Sequence, residues 1–441
     1  MNGLAPDGVR GLLNRDNKEQ YYFGLCAVKL YEEYLLYLRR NDRIDFHDML
    51  IMAIEILRKM PEKYFAEYDH MLIDEFQDVS YRQIEFIKLF FSEGSRMKLF
   101  CVGDDWQSIY SFQGSEPEYF VNFEKYFGKA ARTYLTTNYR SPSSIIDAGN
   151  LLISRNRDQL KKTVRAGKII DRNPVLHILD SISHYEEHII DYTMSLIKNM
   201  MREGAEANDI MVLCRYDEAA PFLDMVKSRL RQEEIAYVGK GNDYFNPLDS
   251  SRKPDNAVSV FSIHQAKGCE ADNVILLHVV ANGPYSFPEA ERDNRFLEPV
   301  KPKRADNLQE ERRLFYVAIT RAAENLHILT QAENISPFIT EIEPYLQKKE
   351  IKRAGGANDF INFTGFVYII WEEHSEKIKQ TGLLVDGEGK KIKFLSWRNS
   401  KAPVLKINTW YELRNVKISR YQKKWELLLT DQTEALICQG E

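Results

Sequence analysis

The sequence predicts a mixed α/β protein that ends in a small closed β-barrel. Three observations carry that expectation. Short apolar runs that suit buried parallel strands are each followed at once by carboxylates, amides or an arginine: Met71-Leu72-Ile73 before Asp74-Glu75, Leu99-Phe100-Cys101-Val102 before Asp104-Asp105, and Thr136-Thr137-Asn138-Tyr139-Arg140. From Val175 to Leu277, apolar strand-like runs alternate with helical stretches. From Phe363 onward the pattern shortens into brief strands only.

The first 65 residues read as helices. Tyr21, Tyr22, Leu25, Val28, Leu30, Tyr31, Tyr34, Leu35, Leu36 and Leu38 recur at helical spacing among charges, and a second run covers Phe46 to Met60, closed by Pro61. Val175–Leu179 and Ile210–Cys214 read as buried strands flanking a helix from Tyr185 to Arg202. A short helix from Asp224 to Gln232 leads into Ile235–Val238, and a polar bridge covers about Gly241 to Asn256. Ala257–Phe261 and Asn273–Leu277 are two further strands. Leu314, Val317 and Ala318 then share one helical face, with Arg321 a turn beyond Val317.

A linker with Gly355-Gly356 spans residues 351–358. Beyond it come six strands: Phe363–Trp371, Lys379–Val385, Lys391–Trp397, Val404–Glu412, Lys417–Tyr421 and Trp425–Thr430. Asp386-Gly387-Glu388-Gly389 forms the hairpin turn between the second and third.

Composition narrows the class. A hydrophobic fraction of 44% and a charged fraction of 28% are those of a water-soluble globular chain. No apolar run approaches the roughly 18 residues of a membrane span, and the N-terminus lacks a basic-then-apolar signal, so a cytoplasmic location with no membrane partner is expected. Cys26, Cys101, Cys214, Cys269 and Cys438 are scattered, without the pairing of a zinc site or disulfide framework. The net charge of −5 argues against coating nucleic acid by bulk charge, not against a local groove that contacts phosphates.

Carboxylates, amides and arginines at strand ends suit nucleotide hydrolysis, because ligands of open α/β sheets bind there. In P-loop enzymes one carboxylate holds Mg²⁺, a neighbouring group aligns water, and arginines neutralise charge on the transferring phosphoryl group. On that reading Asp74 is the metal carboxylate, Glu75 the general base, Gln107 a sensor of the terminal phosphate and Arg140 a phosphate clamp. An Asp-Glu pair after a strand also serves as a helix N-cap, and that alternative stays open for the pair alone.

The company of these residues is more specific. Asp74-Glu75-Phe76-Gln77-Asp78 resembles motif II of superfamily 1 helicases of the UvrD/Rep type. Gly103-Asp104-Asp105-Trp106-Gln107-Ser108-Ile109-Tyr110 resembles motif III, in a form similar to the helicase IV branch, and Asn138-Tyr139-Arg140-Ser141 resembles motif IV. Ser262-Ile263-His264-Gln265-Ala266-Lys267-Gly268-Cys269-Glu270 resembles motif V, and Glu310 to Ala322 resembles motif VI.

The resemblance implies RecA-like P-loop NTPase domains using ATP and Mg²⁺. Residues 1–65 would be a remnant of helical subdomain 1B, 66–140 the C-terminal part of an incomplete domain 1A, and 141–350 domain 2A with no sizeable 2B insertion. It implies that Arg321 is the arginine finger, where the alternative is a surface arginine near a helix end. Tyr139 would pack on the adenine and Glu270 would meet the ribose. Phe112 would stack on DNA, with core packing as its alternative, and His264 and Lys267 would couple nucleotide to DNA. The expected activity is 3′–5′ DNA helicase or translocase action on single-stranded DNA and duplex junctions, in DNA repair or replication.

Residues 359–441 resemble the OB-fold domains of replication protein A. Trp397, Arg398, Trp410 and Tyr421, with Phe394 and Lys423, are candidates for gripping a single strand, the alternative being a barrel that docks a protein.

The chain departs from the family pattern in one respect: no Gly-x-x-x-x-Gly-Lys-Ser/Thr occurs in it. The expectation is a truncated or split motor, with a separate chain supplying the phosphate loop. The alternative is a non-catalytic single-stranded-DNA-binding or regulatory helicase relic.

Overall fold

The computed structural model describes residues 6–13, 15, 17–60, 64, 68–91, 96–168, 172–180, 185–217, 221–289, 307–351, 360–371, 377–387, 389, 391–421 and 424–438, leaving aside the side chains of 360, 361, 418–421, 424 and 425. The chain forms two compact units, Met1–Ile351 and Lys352–Glu441. The expected linker at 351–358 lies outside the described residues apart from Ile351.

In the first unit, helices Lys18–Arg40 and Phe46–Lys59 form where the helical spacing predicts them. Asn17 caps the first through Gln20 N, and Asp45 and Asp48 close a capping box on the second. Strand β1 (His70–Ile73) pairs in parallel with β2 (Lys98–Cys101), and helix Tyr81–Leu89, boxed by Ser80 and Gln83, runs between them.

The expectation of buried strands is corrected here. These two strands form a sheet of their own, covered on one face by Phe76, Val79, Ile84, Ile87 and Tyr119, while Leu72 is 73% and Phe100 62% exposed. The third strand-like run, β3 (Thr137–Pro142), pairs with β4 (Arg165–Lys168), which the sequence pattern does not suggest. The three polar strand ends therefore come from two separate small sheets.

The large sheet has the order β12-β5-β11-β10-β6-β9-β7-β8. Its strands are β5 (Val175–Leu179), β6 (Ile210–Cys214), β7 (Tyr237–Val238), β8 (Tyr244–Phe245), β9 (Val258–Ser262), β10 (Ala271–Leu277), β11 (Ala322–Gln331) and β12 (Gln347–Ile351). All neighbours are parallel except β7 and β8. The β8 edge strand lies within the stretch read from sequence as a polar bridge, because Tyr244 and Phe245 return against Val238 and Tyr237.

Both faces of this sheet are covered, as parallel sheets require. Met211 and Leu213 of β6 join the core under helices Ser143–Ile153 and Asn307–Ile319. Val212 and Cys214 join the core under helices Tyr185–Arg202 and Phe222–Gln232. Alternate residues of one strand thus anchor opposite layers.

In the second unit, β13 (Phe360–Ile370), β14 (Ile378–Val385), β15 (Lys391–Trp397), β16 (Trp410–Tyr421) and β17 (Lys424–Leu429) close on themselves in the order β13-β14-β15-β17-β16, and β16 returns to β13. β15 and β17 run parallel; the other pairs are antiparallel. This closed five-stranded barrel is consistent with an OB-fold.

Two strand assignments are corrected. Val404–Glu412 and Lys417–Tyr421 are not separate strands. Residues 404–409 form a loop in which Leu405 is buried and Asn408 takes φ 59°, and β16 then runs through a left-handed kink at Asn415 (φ 54°). A further strand, β18 (Glu434–Ile437), pairs with β16 beyond the six expected.

On adjacent strands β5 and β11, His177 Nε2 and His327 Nδ1 lie 2.9 Å apart, and Tyr192 Oη lies 2.9 Å from His177 Nδ1. Burial drives both imidazoles down, His177 to about 3 with His327 and Lys349 adding to the shift, and His327 to about 4. The unfolded chain takes up protons as pH falls below about 6.5 while the folded pair stays neutral, so this contribution to stability is intact above that pH and is lost towards pH 4. Thermal midpoints of the full chain should fall steadily across this window, and His327→Gln should make the fall shallower; a slope unchanged by the substitution would refute the assignment.

Candidate functional site

The C-terminal ends of β1 and β2 are joined by one side chain. Gln77 is fully buried, and its Nε2 donates to Glu75 Oε2 while its Oε1 accepts from Asp104 N at 2.9 Å. Ser108 Oγ donates to the Gln77 carbonyl at 3.1 Å. Gly103 makes room for this arrangement, since a Cβ there would lie 2.4 Å from Gln77 Oε1.

Glu75 itself takes φ 51° and ψ 39°, a left-handed conformation that is costly for a side-chain-bearing residue. Its N–H donates to Asp74 Oδ1 at 2.8 Å, and the Glu75 side chain is 60% exposed. The pair therefore presents two open carboxylates at a strand end and does not cap the turn that follows: Glu75 occupies the cap position without a side-chain capping bond.

Gln107 and Arg321, expected to share a site from positions far apart in sequence, do meet. Helix Asn307–Ile319 ends just before Arg321, whose guanidinium curls back to donate to Val317 O (3.0 Å) and Cys269 O (3.0 Å), with Nη2 3.4 Å from Gln107 Oε1. Arg321 is 2% exposed, so it is no surface arginine. Its three acceptors are all neutral. Two other buried arginines are held by carboxylates, Arg312 by Glu341 and Arg215 by Glu311, whereas Arg313 of the same helix donates to the Ser108 carbonyl at 2.7 Å. Burial, with Arg140 nearby, brings the Arg321 guanidinium down to about 10. A buried cation hydrogen-bonded only to neutral groups is a standing electrostatic cost that an arriving anion would relieve.

Arg140 Nε donates to Glu270 Oε2, so motif IV and motif V groups are paired. Tyr139 is 73% exposed, with one ring edge lying on Gly167, where a Cβ would come within 2.5 Å of Tyr139 Cδ1. Its outer face is free to stack.

Phe112 is 55% exposed and therefore not core. Its ring meets His264 edge-on at 5.4 Å, and the neighbouring Tyr110 hydroxyl donates to His264 O at 3.1 Å. Burial lowers the His264 imidazole to about 4, so it is neutral at physiological pH. Ser111, next to Phe112, is fastened by N and Oγ to the Glu310 carboxylate.

Lys267 has different neighbours from those expected of a DNA contact. Only 8% of its side chain is exposed; its ammonium donates to Asp78 Oδ2 and to Gln107 O (2.9 Å) and lies 5.0 Å from the Tyr110 ring centre. Sequence reasoning missed Gln77, Asp78 and Asp104 as organising groups, although all three stand inside the motifs it quoted.

In the barrel, Trp397 is 40% exposed and Arg398 is exposed, while Trp410 is half-buried with its ring 5.8 Å from Phe366. Phe394 is fully buried in the barrel core and is withdrawn as a binding candidate. The Tyr421 side chain and Lys423 lie outside the described residues.

Comparison with known proteins agrees with the motif order. The UvrD/REP helicase N-terminal domain matches residues 11–128, and the UvrD-like helicase C-terminal domain matches residues 133–247 and 245–333. The chain belongs to the UvrD/Rep helicase family. It is similar to DNA helicase IV of Escherichia coli K12, 29% identical over 348 residues that cover 77% of this chain and 44% of that protein. It is also similar to the putative ATP-dependent DNA helicase YjcD of Bacillus subtilis 168, 32% identical over 215 residues covering 48% of this chain and 27% of the relative. The chain thus spans less than half the length of these relatives.

Among solved structures it is similar to the C-terminal domain of a possible DNA helicase from Lactobacillus plantarum WCFS1, at 16% identity and TM-score 0.29, covering 48% of this chain and 98% of that one. The OB domain of MM0293 from Methanosarcina mazei matches at 30% identity and TM-score 0.17, over 18% of this chain and 72% of that one. No helix among the described residues is long and apolar enough to cross a membrane.

The Lys267–Asp78 pair gives the site its clearest stability test. Burial raises the Asp78 carboxyl against the pull of Lys267, so removing the ammonium strands an ill-solvated carboxylate. Lys267→Met should destabilise the first unit by about 3 kcal/mol in denaturant unfolding, and Asp78→Asn in the same background should recover part of the loss. A neutral Lys267→Met would show that the pair contributes little.

Proposed function

We propose that this chain is the motor portion of an ATP-dependent DNA helicase or translocase that moves 3′ to 5′ on single-stranded DNA and acts at duplex junctions in DNA repair or replication. The two α/β parts of its first unit are then portions of RecA-like domains, with the nucleotide held between them. The observation that carries the reading is Arg321: a buried guanidinium held, among the described residues, by neutral acceptors alone and facing the amide of Gln107. Such a group suits the charge that develops on a transferring phosphoryl group, where an arginine finger is worth about 10³- to 10⁵-fold in rate.

The remaining roles follow from position. Asp74 offers a hard oxygen donor for Mg²⁺, and Glu75 stands beside it as the base. Among the described residues no group of three or more His, Cys, Asp or Glu side chains forms a metal cage, which fits an ion bound by one or two carboxylates together with substrate phosphates. When bound, Mg²⁺ would supply charge neutralisation to the phosphates. Arg140 and Gln107 complete the phosphate contacts, Tyr139 the adenine platform and Glu270 the ribose contact. Phe112 and His264 form the stacking wedge for DNA.

No Gly-x-x-x-x-Gly-Lys-Ser/Thr stands in these 441 residues, and on the motor reading the phosphate-cradling loop is supplied from outside them. The same observation favours a second reading, a non-catalytic DNA-binding or regulatory protein that keeps the DNA grip alone.

Single-strand-stimulated ATP hydrolysis by the full chain, beside its Glu75→Gln variant, separates the two. With a partner that bears the phosphate loop added, the motor reading expects stimulated turnover that drops by roughly 10²-fold or more in the variant. Binding of single-stranded DNA with no turnover even beside that partner favours the second reading.

The barrel would add a second grip on the strand through Trp397, Arg398, Trp410 and Tyr421. Trp397→Ala should weaken binding of an oligothymidine by about 1–3 kcal/mol, the usual worth of one base–aromatic stack. Unchanged affinity in fluorescence titration would turn the barrel towards a protein-docking role.

A further inference from the structure

Behind Gln107 lies a charge cluster for which none of the nucleotide-facing motifs accounts. Lys162 sits on the extended segment between helix Ser143–Ile153 and β4, with its side chain 12% exposed. Its ammonium meets Asp104 Oδ1 at 2.5 Å and Asp105 Oδ1 at 3.0 Å, and lies 4.8 Å from the Trp106 ring centre. Asp105 is 1% exposed, and its other oxygen accepts from Leu160 N at 2.7 Å. Asp104 turns its other oxygen to Gln107, accepting from Nε2 at 2.7 Å. Gln107 is thereby oriented with its amide nitrogen on Asp104 and its Oε1 towards Arg321.

A carboxamide can flip, and its nitrogen and oxygen ends are nearly the same shape. Which end faces Arg321 is decided here by an anionic acceptor on the other side. That acceptor is held by the Trp106 backbone N–H and by a cation that also bonds to a neighbouring, fully desolvated carboxylate. Burial acts to lower the Lys162 ammonium, but Asp104 and Asp105 outweigh it and hold the group above its ordinary range.

We infer that Lys162 is a positioning residue for Gln107: through Asp104 it fixes the direction of the carboxamide that faces Arg321. The functional weight of this rests on the reading of Gln107 as the phosphate-sensing group. Without Lys162, Asp104 and Asp105 lose the ammonium that bonds to both; the Trp106 N–H bond to Asp104 Oδ1 and the field of Arg313 on Asp105 remain, but Asp104 turns towards water and Gln107 loses the partner that sets its orientation.

The test reads Gln107 directly. In the deuterated full chain labelled with ¹⁵N-glutamine, the side-chain amide signal of Gln107 is identified by its loss in Gln107→Ala. Lys162→Met and Asp104→Asn should both move that signal towards the position of a solvated glutamine, and Lys162→Arg should leave it near its original place. The other glutamine signals report whether the fold is intact.

A Gln107 signal that stays put in Lys162→Met, with the fold intact, overturns the inference. If Lys162→Met does not fold, Asp104→Asn decides, since it cuts the link while Asp105 keeps its cation; an unmoved signal there also overturns it. Single-strand-stimulated ATP turnover, with a partner that bears the phosphate loop present, is followed alongside. Lys162→Met should lower kcat roughly 10- to 100-fold, as expected when a catalytic group is misplaced, with little change in KM and rescue by Lys162→Arg; loss in KM alone contradicts positioning. Should Gln107→Ala keep full turnover, the sensing role of Gln107 fails, whereas the amide signal still decides whether Lys162 orients it.

Discussion

The candidate site depends on a single buried carboxamide. Gln77 has no exposure to water, so both ends of its amide have to be satisfied by protein. One end holds the Glu75 side chain and the other holds the backbone of Asp104, which ties the ends of β1 and β2 together. Glu75 would otherwise have little reason to remain in a left-handed conformation. The strain is tolerated because the Asp74 carboxylate, the Gln77 amide and the 3-10 turn Phe76–Asp78 all fix the same backbone. The missing Cβ at Gly103 belongs to the same constraint, for any other residue would push into the Gln77 oxygen.

Much of this is legible in the sequence, for identifiable reasons. In the large sheet β5, β6, β9 and β10 are apolar runs that read as strands, whereas β11 and the polar β12, Gln-Lys-Lys-Glu-Ile, are not read as strands from the sequence. The site residues stand in motifs whose order along the chain is itself information. The resemblance to those motifs implies that Gln107 and Arg321 share one site, and the fold places them 3.4 Å apart.

What the sequence does not disclose depends on three-dimensional neighbours. An apolar run does not say how many strands lie beside it, so β1 and β2 look buried although Leu72 and Phe100 face outward. Residues 404–409 alternate like a strand, but Leu405 is drawn inward and Gln380 holds it by two hydrogen bonds, Leu405 N to Oε1 at 2.9 Å and Nε2 to Leu405 O at 2.7 Å. Lys162 carries no local signature; only the fold brings it to the acidic pair of motif III. Lys267 looks like a free cation in a motif expected near DNA, and the structure turns it inward because Asp78 is buried and needs a partner.

These contacts converge on one short segment. Between His264 and Glu270, successive groups reach four other motifs: the His264 carbonyl takes the Tyr110 hydroxyl, Lys267 takes Asp78, the Cys269 carbonyl takes Arg321, and Glu270 takes Arg140. The first bond lies beside the exposed Phe112 ring, and the last two lie at the guanidinium groups. A packed segment of this kind shifts as a body more readily than it stretches. An anion that draws Arg321 or Arg140 would therefore bear on Cys269 and Glu270 directly, and the same backbone carries His264 against Phe112. On the proposed reading, coupling of phosphate chemistry to a stacking wedge would need no long pathway in this chain, because both ends are held by the same loop.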